Sequence, residues 1–240
     1  MKKFIIFGDS ILKGVMFDEN AGSRGKFSLY RGKLSERLVS LGIETENHAK
    51  MGMTINECGD FIDRFLPASA NNSLEDCAIL LEFGGNDSAF NWKEVSEEPG
   101  GMHYPSTELA AFREIYGRLI SELKARGADI IIANLLPIDP QRYLDNISRG
   151  LSRDNILSWL GDVNMLYRWH ENYNYTVTDI AGASGLPLLD LRGKFLLSHK
   201  FGELICGDGI HPTEAGHKII EDEIVEYIAG NYREKPLKIA

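Results

Sequence analysis

Short apolar runs alternate along this chain with stretches in which apolar side chains recur every three or four residues. Phe4-Ile5-Ile6-Phe7 is a continuous run, as a strand buried on both faces requires, and Ala78-Ile79-Leu80-Leu81-Glu82-Phe83 and Asp129-Ile130-Ile131-Ile132-Ala133 read as strands of the same kind. Glu44 to Ala49 and Leu186 to Leu191 read as two further strands. Between them, Phe27, Tyr30, Leu34, Leu38 and Leu41 fall at helical spacing and stop at Gly42, which predicts a helix. Ile55, Cys58, Ile62 and Phe65 predict a second, opened by a Thr54-to-Glu57 capping box. Leu109, Phe112, Tyr116, Leu119 and Leu123 predict a third, closed by Gly127, and Ile220, Ile224 and Ile228 mark a last one after Pro212.

Strand alternating with helix predicts an α/β fold: a five-stranded parallel sheet with helices on both faces, a three-layer sandwich. No linker or repeat divides the chain, so residues 1–240 read as a single domain. Two connections are too long for simple loops, at about 88–105 and 139–175, the second mostly helical by its spacing. Both follow the carboxyl end of a strand, where folds of this class bind ligands.

That rule directs attention to four short motifs at or near strand ends: Gly8-Asp9-Ser10, Gly52, Gly84-Gly85-Asn86-Asp87, and Asp208-Gly209-Ile210-His211-Pro212. Singly, each is ordinary turn or cap composition. Together they supply the parts of an acyl-transfer site. Ser10 offers a hydroxyl, which needs an adjacent base to become a nucleophile. His211 is a suitable base, since imidazole ordinarily titrates at about 6.5. Asp208, three residues earlier, can reach the far ring nitrogen in a tight turn and fix its tautomer. The Ser10 amide, the Gly52 amide and the Asn86 side chain are candidate donors to an oxyanion.

On these four blocks the chain resembles the GDSL, or SGNH, hydrolases, whose signature Ser, Gly, Asn and His occur in this order. Phe7-Gly8-Asp9-Ser10-Ile11 carries Ile11 in place of the eponymous leucine, and the blocks span Gly8 to Pro212, nearly the whole chain. The resemblance implies a flavodoxin-like sheet in strand order 2-1-3-4-5, and ester hydrolysis through an acyl-enzyme without metal or organic cofactor. It also implies oxyanion roles for Ser10, Gly52 and Asn86. It leaves the substrate open. A small acyl ester, such as an O-acetylated sugar or metabolite, is the first expectation. A lysophospholipase or thioesterase accepting longer chains is the second, and a non-catalytic binding module on the same fold is the rival from another class. A flavin or nucleotide binder is disfavoured, because Asp9 stands where a phosphate would sit after the first strand.

Charge and composition narrow the partners. The chain has 240 residues with 43% hydrophobic content, enough for a sizeable core, and a formal net charge of -9. An acidic surface disfavours nucleic acid and anionic membranes, and no apolar run reaches membrane-spanning length. Cys58, Cys77 and Cys206 show neither paired nor metal-ligand spacing and read as free thiols, which with the short apolar run after Met1 suggests a cytoplasmic protein. Among the other histidines, His103 is the candidate substrate contact. His48, His170, His199 and His217 read as structural or surface groups. Trp92, Tyr143, Trp159, Tyr167 and Trp169 cluster in the long segments, where they either line a binding wall, Trp92 foremost, or pack those segments onto the body. Asp9 and Asp87 are expected to brace their loops by accepting backbone hydrogen bonds.

Overall fold

The computed structural model describes residues 1–21, 25–66 and 73–232. In chain order the elements are β1 (Lys3–Gly8), α1 (Ser10–Lys13), β2 (Val15–Asp18), β3 (Lys26–Leu29), α2 (Leu34–Val39), β4 (Glu44–Asn47), α3 (Ile55–Phe65), β5 (Cys77–Glu82), α4 (Trp92–Glu97), α5 (Leu109–Ala125), β6 (Asp129–Ala133), α6 (Pro140–Ile147), α7 (Arg153–Leu160), α8 (Asn164–Ala183), β7 (Leu188–Leu189), α9 (Leu191–Leu196), α10 (Phe201–Leu204) and α11 (Glu214–Tyr232).

The continuous apolar runs become the centre of one parallel sheet, ordered β4-β1-β5-β6-β7. Counting only its own strands, this is the expected order 2-1-3-4-5. The alternation of side chains along each strand splits the core in two. Ile5, Phe7, Ile79, Leu81, Ile130 and Ile132 face α3, α5 and α8, while Phe4, Ile6, Ala78, Leu80, Ile131 and Ala133 face α2, α9 and α11. Both faces being covered explains why these strands read as unbroken apolar runs. A third, smaller core of Val95, Leu144, Ile156, Leu160 and Leu166 lies within the two long segments, joined by Ile138 just before the second. Those segments are helical (α4, then α6, α7 and the start of α8), so they pack on one another rather than hanging as loops.

Three expectations are corrected. The helix predicted from Phe27 to Leu41 is only α2. Lys26–Leu29 instead pairs antiparallel with Val15–Asp18, outside the main sheet. Gly14, in the left-handed region at φ 85°, ends α1 and turns the chain into this hairpin, where Phe27 packs on Phe17 at 5.2 Å rather than entering a helix face. The strand expected over Leu186 to Leu191 is paired only at Leu188–Leu189. The Asp190 side chain accepts from the Gly193 amide and starts α9 at once. The Thr54 side chain makes no cap bond at the start of α3. Asp87, from the loop after β5, supplies an oxygen to the Ile55 amide at 3.0 Å instead.

Candidate active site

The carboxyl ends of β1 and β5 lie side by side, since Gly8 pairs with Glu82. Each strand is followed by one of the motifs. After β1, the Asp9 carboxylate caps the short helix α1 by accepting from the Ile11 amide at 2.8 Å. The cap fixes Ser10 at the first helical position, with its side chain at the floor of a cavity. After β5, Gly84-Gly85 turns the chain and places Asn86 beside Asp9. On the far side, the turn before α11 carries Asp208 and His211. Gly209 in that turn has φ 81° and lies so close to α6 that a Cβ would meet the Tyr143 amide at 2.3 Å, so only glycine fits.

These elements bring together a relay. His211 Nε2 lies 2.9 Å from Ser10 Oγ, and His211 Nδ1 lies 2.5 Å from Asp208 Oδ2. The other Asp208 oxygen accepts from the His211 and Ile210 amides at 3.1 and 3.2 Å, locking the turn. Asp208 is fully buried, and Ser10 and His211 nearly so. An acceptor carboxylate on Nδ1 places the ring proton there, which leaves the Nε2 lone pair to accept from the serine hydroxyl. The edge of the Phe27 ring, 5.5 Å away by centroids, covers the imidazole. Phe27 is a neighbour the helical reading of residues 27–41 concealed.

Of the expected oxyanion donors, Asn86 lies beside Asp9, next to Ser10 in the chain, and the turn that carries Gly52 is tied to the end of β1 by the Lys50 amide on Gly8 O at 3.0 Å. Gly52 sits in the left-handed region at φ 78°, and the space beside its α-carbon is open. Among the described residues, neither the Ser10 nor the Gly52 amide has a protein acceptor. Asn86 Nδ2 is held by two acceptors, Asp9 Oδ2 at 2.9 Å and Met53 O at 3.1 Å. Asp9 and Asp87 thus brace the loops as expected, with Asp9 also tying the serine turn to Asn86. Burial raises the Asp87 carboxyl to about 6, against the amide bond from Ile55.

A cavity of about 490 Å³ opens from Ser10 and His211's neighbour Ile210 toward the long segments. Phe90, Trp92, Trp159, Trp169, Tyr143 and Leu166 line its far side. Trp92 and His103, the two expected substrate contacts, both lie on its wall. His103 is partly exposed, with its ring edge-on to Trp159 at 5.4 Å and its Nε2 2.9 Å from Glu98 O. His170, read as a surface or packing residue, is buried and also lines the cavity. Its Nδ1 has no hydrogen-bond partner among the described residues, and burial, with the Arg192 charge adding, lowers its pKa to about 3. His48 stacks between Phe7 and Phe65, and His217 binds Val15 O at 2.9 Å, so both are structural. The strand glutamate Glu82 was not singled out, although a charged residue inside an apolar run was the available signal. It is buried behind Asp9, its Oε2 accepting from the Asp9 amide at 3.4 Å.

The GDSL-like lipase/acylhydrolase family matches residues 6–219. The chain belongs to that family. Solved structures with the same fold include a lipase/acylhydrolase from Enterococcus faecalis, at 19% identity over 96% of both chains with a TM-score of 0.59. A member of the lipolytic G-D-S-L family from Veillonella parvula is 17% identical over 94% of this chain and 97% of its own, with a TM-score of 0.61. A catalytic mutant of an acetylxylan esterase from Geobacillus stearothermophilus is 18% identical over 95% and 94%, also with a TM-score of 0.61. No curated protein matches the chain. Membership of this family supports hydrolysis of ester bonds by this GDSL hydrolase. Among its described residues, no helix is long and apolar enough to cross a membrane, and no group of three His, Cys, Asp or Glu side chains could hold a metal ion.

Proposed function

We propose that this protein is a serine ester hydrolase working through an acyl-enzyme. The observation that carries the reading is the continuous relay from Asp208 through His211 to Ser10 at 2.5 and 2.9 Å. Ser10 Oγ attacks the ester carbonyl as His211 Nε2 takes its proton, and Asp208 stabilises the resulting imidazolium. The carbonyl oxygen becomes an oxyanion facing the free amides of Ser10 and Gly52. Asn86 joins them by turning toward the oxyanion the hydrogen it now gives to Met53 O, the longer of its two bonds. His211 returns the proton to the departing alcohol. It then takes one from the water that attacks the acyl-serine and passes it to Ser10 Oγ as the acyl–oxygen bond breaks, which frees the acid and restores the relay.

The substrate is a small-molecule ester with a small acyl group, such as an O-acetylated sugar, whose alcohol part occupies the aromatic cavity. The fold shared with an acetylxylan esterase supports this reading. One observation favours a second: about 490 Å³ walled by Trp92, Trp159 and Trp169 is far more room than an acetyl group needs, and suits a longer acyl chain. Hydrolysis of p-nitrophenyl esters at neutral pH tests both. Ser10→Ala should lower turnover of the acetate by about 10³-fold or more while circular dichroism stays unchanged. Equal activity in the two proteins would remove Ser10 as nucleophile. Turnover rising steadily from acetate to octanoate, with the leaving group held constant, would place the acyl chain in the cavity and overturn the small-acyl reading.

A further inference from the structure

Asp9 and Glu82 are two carboxyl groups buried against each other at the floor of the substrate cavity. No lysine or arginine accompanies them among the described residues. The titratable groups around them are Asp87 after β5, Tyr116 on α5 and His211 before α11, with Cys58 on α3 beyond Asp87 and Tyr116. Two adjacent carboxylates in such a place would repel each other with no cation to offset the loss of hydration. The pair therefore keeps a proton, and the hydrogen bonds decide which member holds it. Asp9 accepts from the Ile11 amide at 2.8 Å and from Asn86 Nδ2 at 2.9 Å, both of which favour its ionised form. Glu82 accepts only the long bond from the Asp9 amide at 3.4 Å, and its strand position is paired with Gly8, the residue before Asp9.

We propose that Glu82 is a positioning residue: it remains protonated and donates to Asp9, so that a single negative charge, fixed in place, holds Asn86 toward the oxyanion. The proposal rests on the ester-hydrolase reading for its catalytic consequence, but not for the proton itself. Burial pushes the Glu82 carboxyl well above the ordinary carboxylate range, and the adjacent Asp9 charge adds to the effect. The chemical sense is electrostatic. Charge builds on the oxyanion in the transition state, a few ångströms from the Asn86 amide. An ionised Glu82 would put a second negative charge behind that amide. A neutral Glu82 adds none, and its O–H keeps the Asp9 carboxylate turned toward Asn86. Neither carboxyl of the pair reaches substrate in this scheme; both act through Asn86 and the serine turn.

Two substitutions and one spectrum test it. Glu82→Gln preserves shape and a donor to Asp9, whereas Glu82→Leu preserves bulk and removes the donor. The expected result is that Glu82→Gln keeps kcat for p-nitrophenyl acetate within about threefold of wild type, while Glu82→Leu lowers kcat about tenfold or more with KM little changed, the pattern of an interaction made only in the transition state. A Gln variant as slow as the Leu variant, or a Leu variant as fast as wild type, would overturn the proposal. Carbon-13 NMR of the full-length protein labelled at glutamate carboxyls reads the proton directly. The one resonance missing in Glu82→Gln should sit at the protonated position at pH 7 in the wild type. Finding it at the ionised position would overturn the proposal whether or not the protein hydrolyses esters. An inactive wild type with a protonated Glu82 would instead count against the ester-hydrolase reading alone.

Discussion

The two banks of the cavity are built on opposite principles. The polar bank is made of strand ends and tight turns: Ser10, Asp9 and Asn86 after β1 and β5, and Asp208 with His211 before α11. Its side chains are bound to one another or to backbone at 2.5 to 3.1 Å. The aromatic bank comes from the two long segments, three of its rings on helices and Phe90 in a bridge to Pro105. Phe90, Trp92, Trp159 and Trp169 meet edge to face or tilted, with centroids 4.8 to 6.3 Å apart. Ring contacts of this kind are individually weak, each worth about 0.5–1.5 kcal/mol beyond the area it buries. The same residue type makes the contrast plain: His211 has a partner on each nitrogen, and His170 across the cavity has none on Nδ1. Under the proposed ester hydrolysis, the hydrogen-bonded bank meets the bond that reacts and the ring-packed bank meets the rest of the substrate.

The largest test of that contrast is Asn86→Ala. If the polar bank acts through its hydrogen-bond donors, losing this amide lowers kcat by about 10²- to 10³-fold with little change in KM. The variant also leaves the buried Asp9 Oδ2 and Met53 O without their donor, so some loss of stability accompanies it. Kinetics well below the melting transition separate the two effects. Unchanged kcat in a folded variant would show that the two backbone amides suffice.

The polar bank was legible in the sequence and the aromatic bank was not, for a physical reason. Hydrogen-bonded catalytic geometry demands particular residue types at particular offsets, such as Asp208 three before His211, and such demands leave a readable trace. Packing demands only volume and apolarity. Trp92, Trp159 and Trp169 could be seen as aromatic but not placed, because which rings face a cavity depends on how α4, α7 and α8 cross. The sheet was legible for the same reason as the core, since strands covered on both faces must be continuously apolar. The β2–β3 hairpin was missed because Phe27 and Leu34 happen to fall at helical spacing while belonging to different elements. Thr54 to Glu57 satisfied a local cap pattern, yet Asp87, distant in sequence, took the role. Glu82 escaped notice because a lone carboxyl in a strand gains its meaning only from the partner that the sheet brings beside it.

A smaller effect distinguishes the banks through pH. His170 is kept neutral in the folded chain, its pKa lowered to about 3 by burial, whereas in the unfolded chain it titrates near the ordinary value of 6.5. Between these values the unfolded state binds the extra proton, so stability is lost as pH falls below the unfolded value, and continues to fall toward pH 3. The contribution reaches about 3 kcal/mol by pH 4, as an order of magnitude. His170→Leu should shrink the difference in unfolding free energy between pH 7 and pH 4 by that amount, measured by urea denaturation at each pH. An unchanged difference would mean that the imidazole takes up a proton in place, and that this side of the cavity is wetter than its lining residues imply.

The smallest expected effect tests the aromatic bank itself. Trp159 stands on the cavity wall with Phe90 at 4.8 Å, His103 at 5.4 Å and Trp92 at 6.3 Å. If that wall holds the substrate equally before and during reaction, Trp159→Ala should raise KM roughly tenfold while kcat stays within about twofold. The sharper measurement crosses this variant with two ester series. If the alcohol part fills the cavity, the penalty in kcat/KM grows as the alcohol is enlarged at constant acetyl. If an acyl chain fills it, the penalty grows from acetate to octanoate at constant leaving group. A fall in kcat rather than a rise in KM would break the comparison between the banks, because it would mean that the aromatic wall also holds the reacting carbonyl in place.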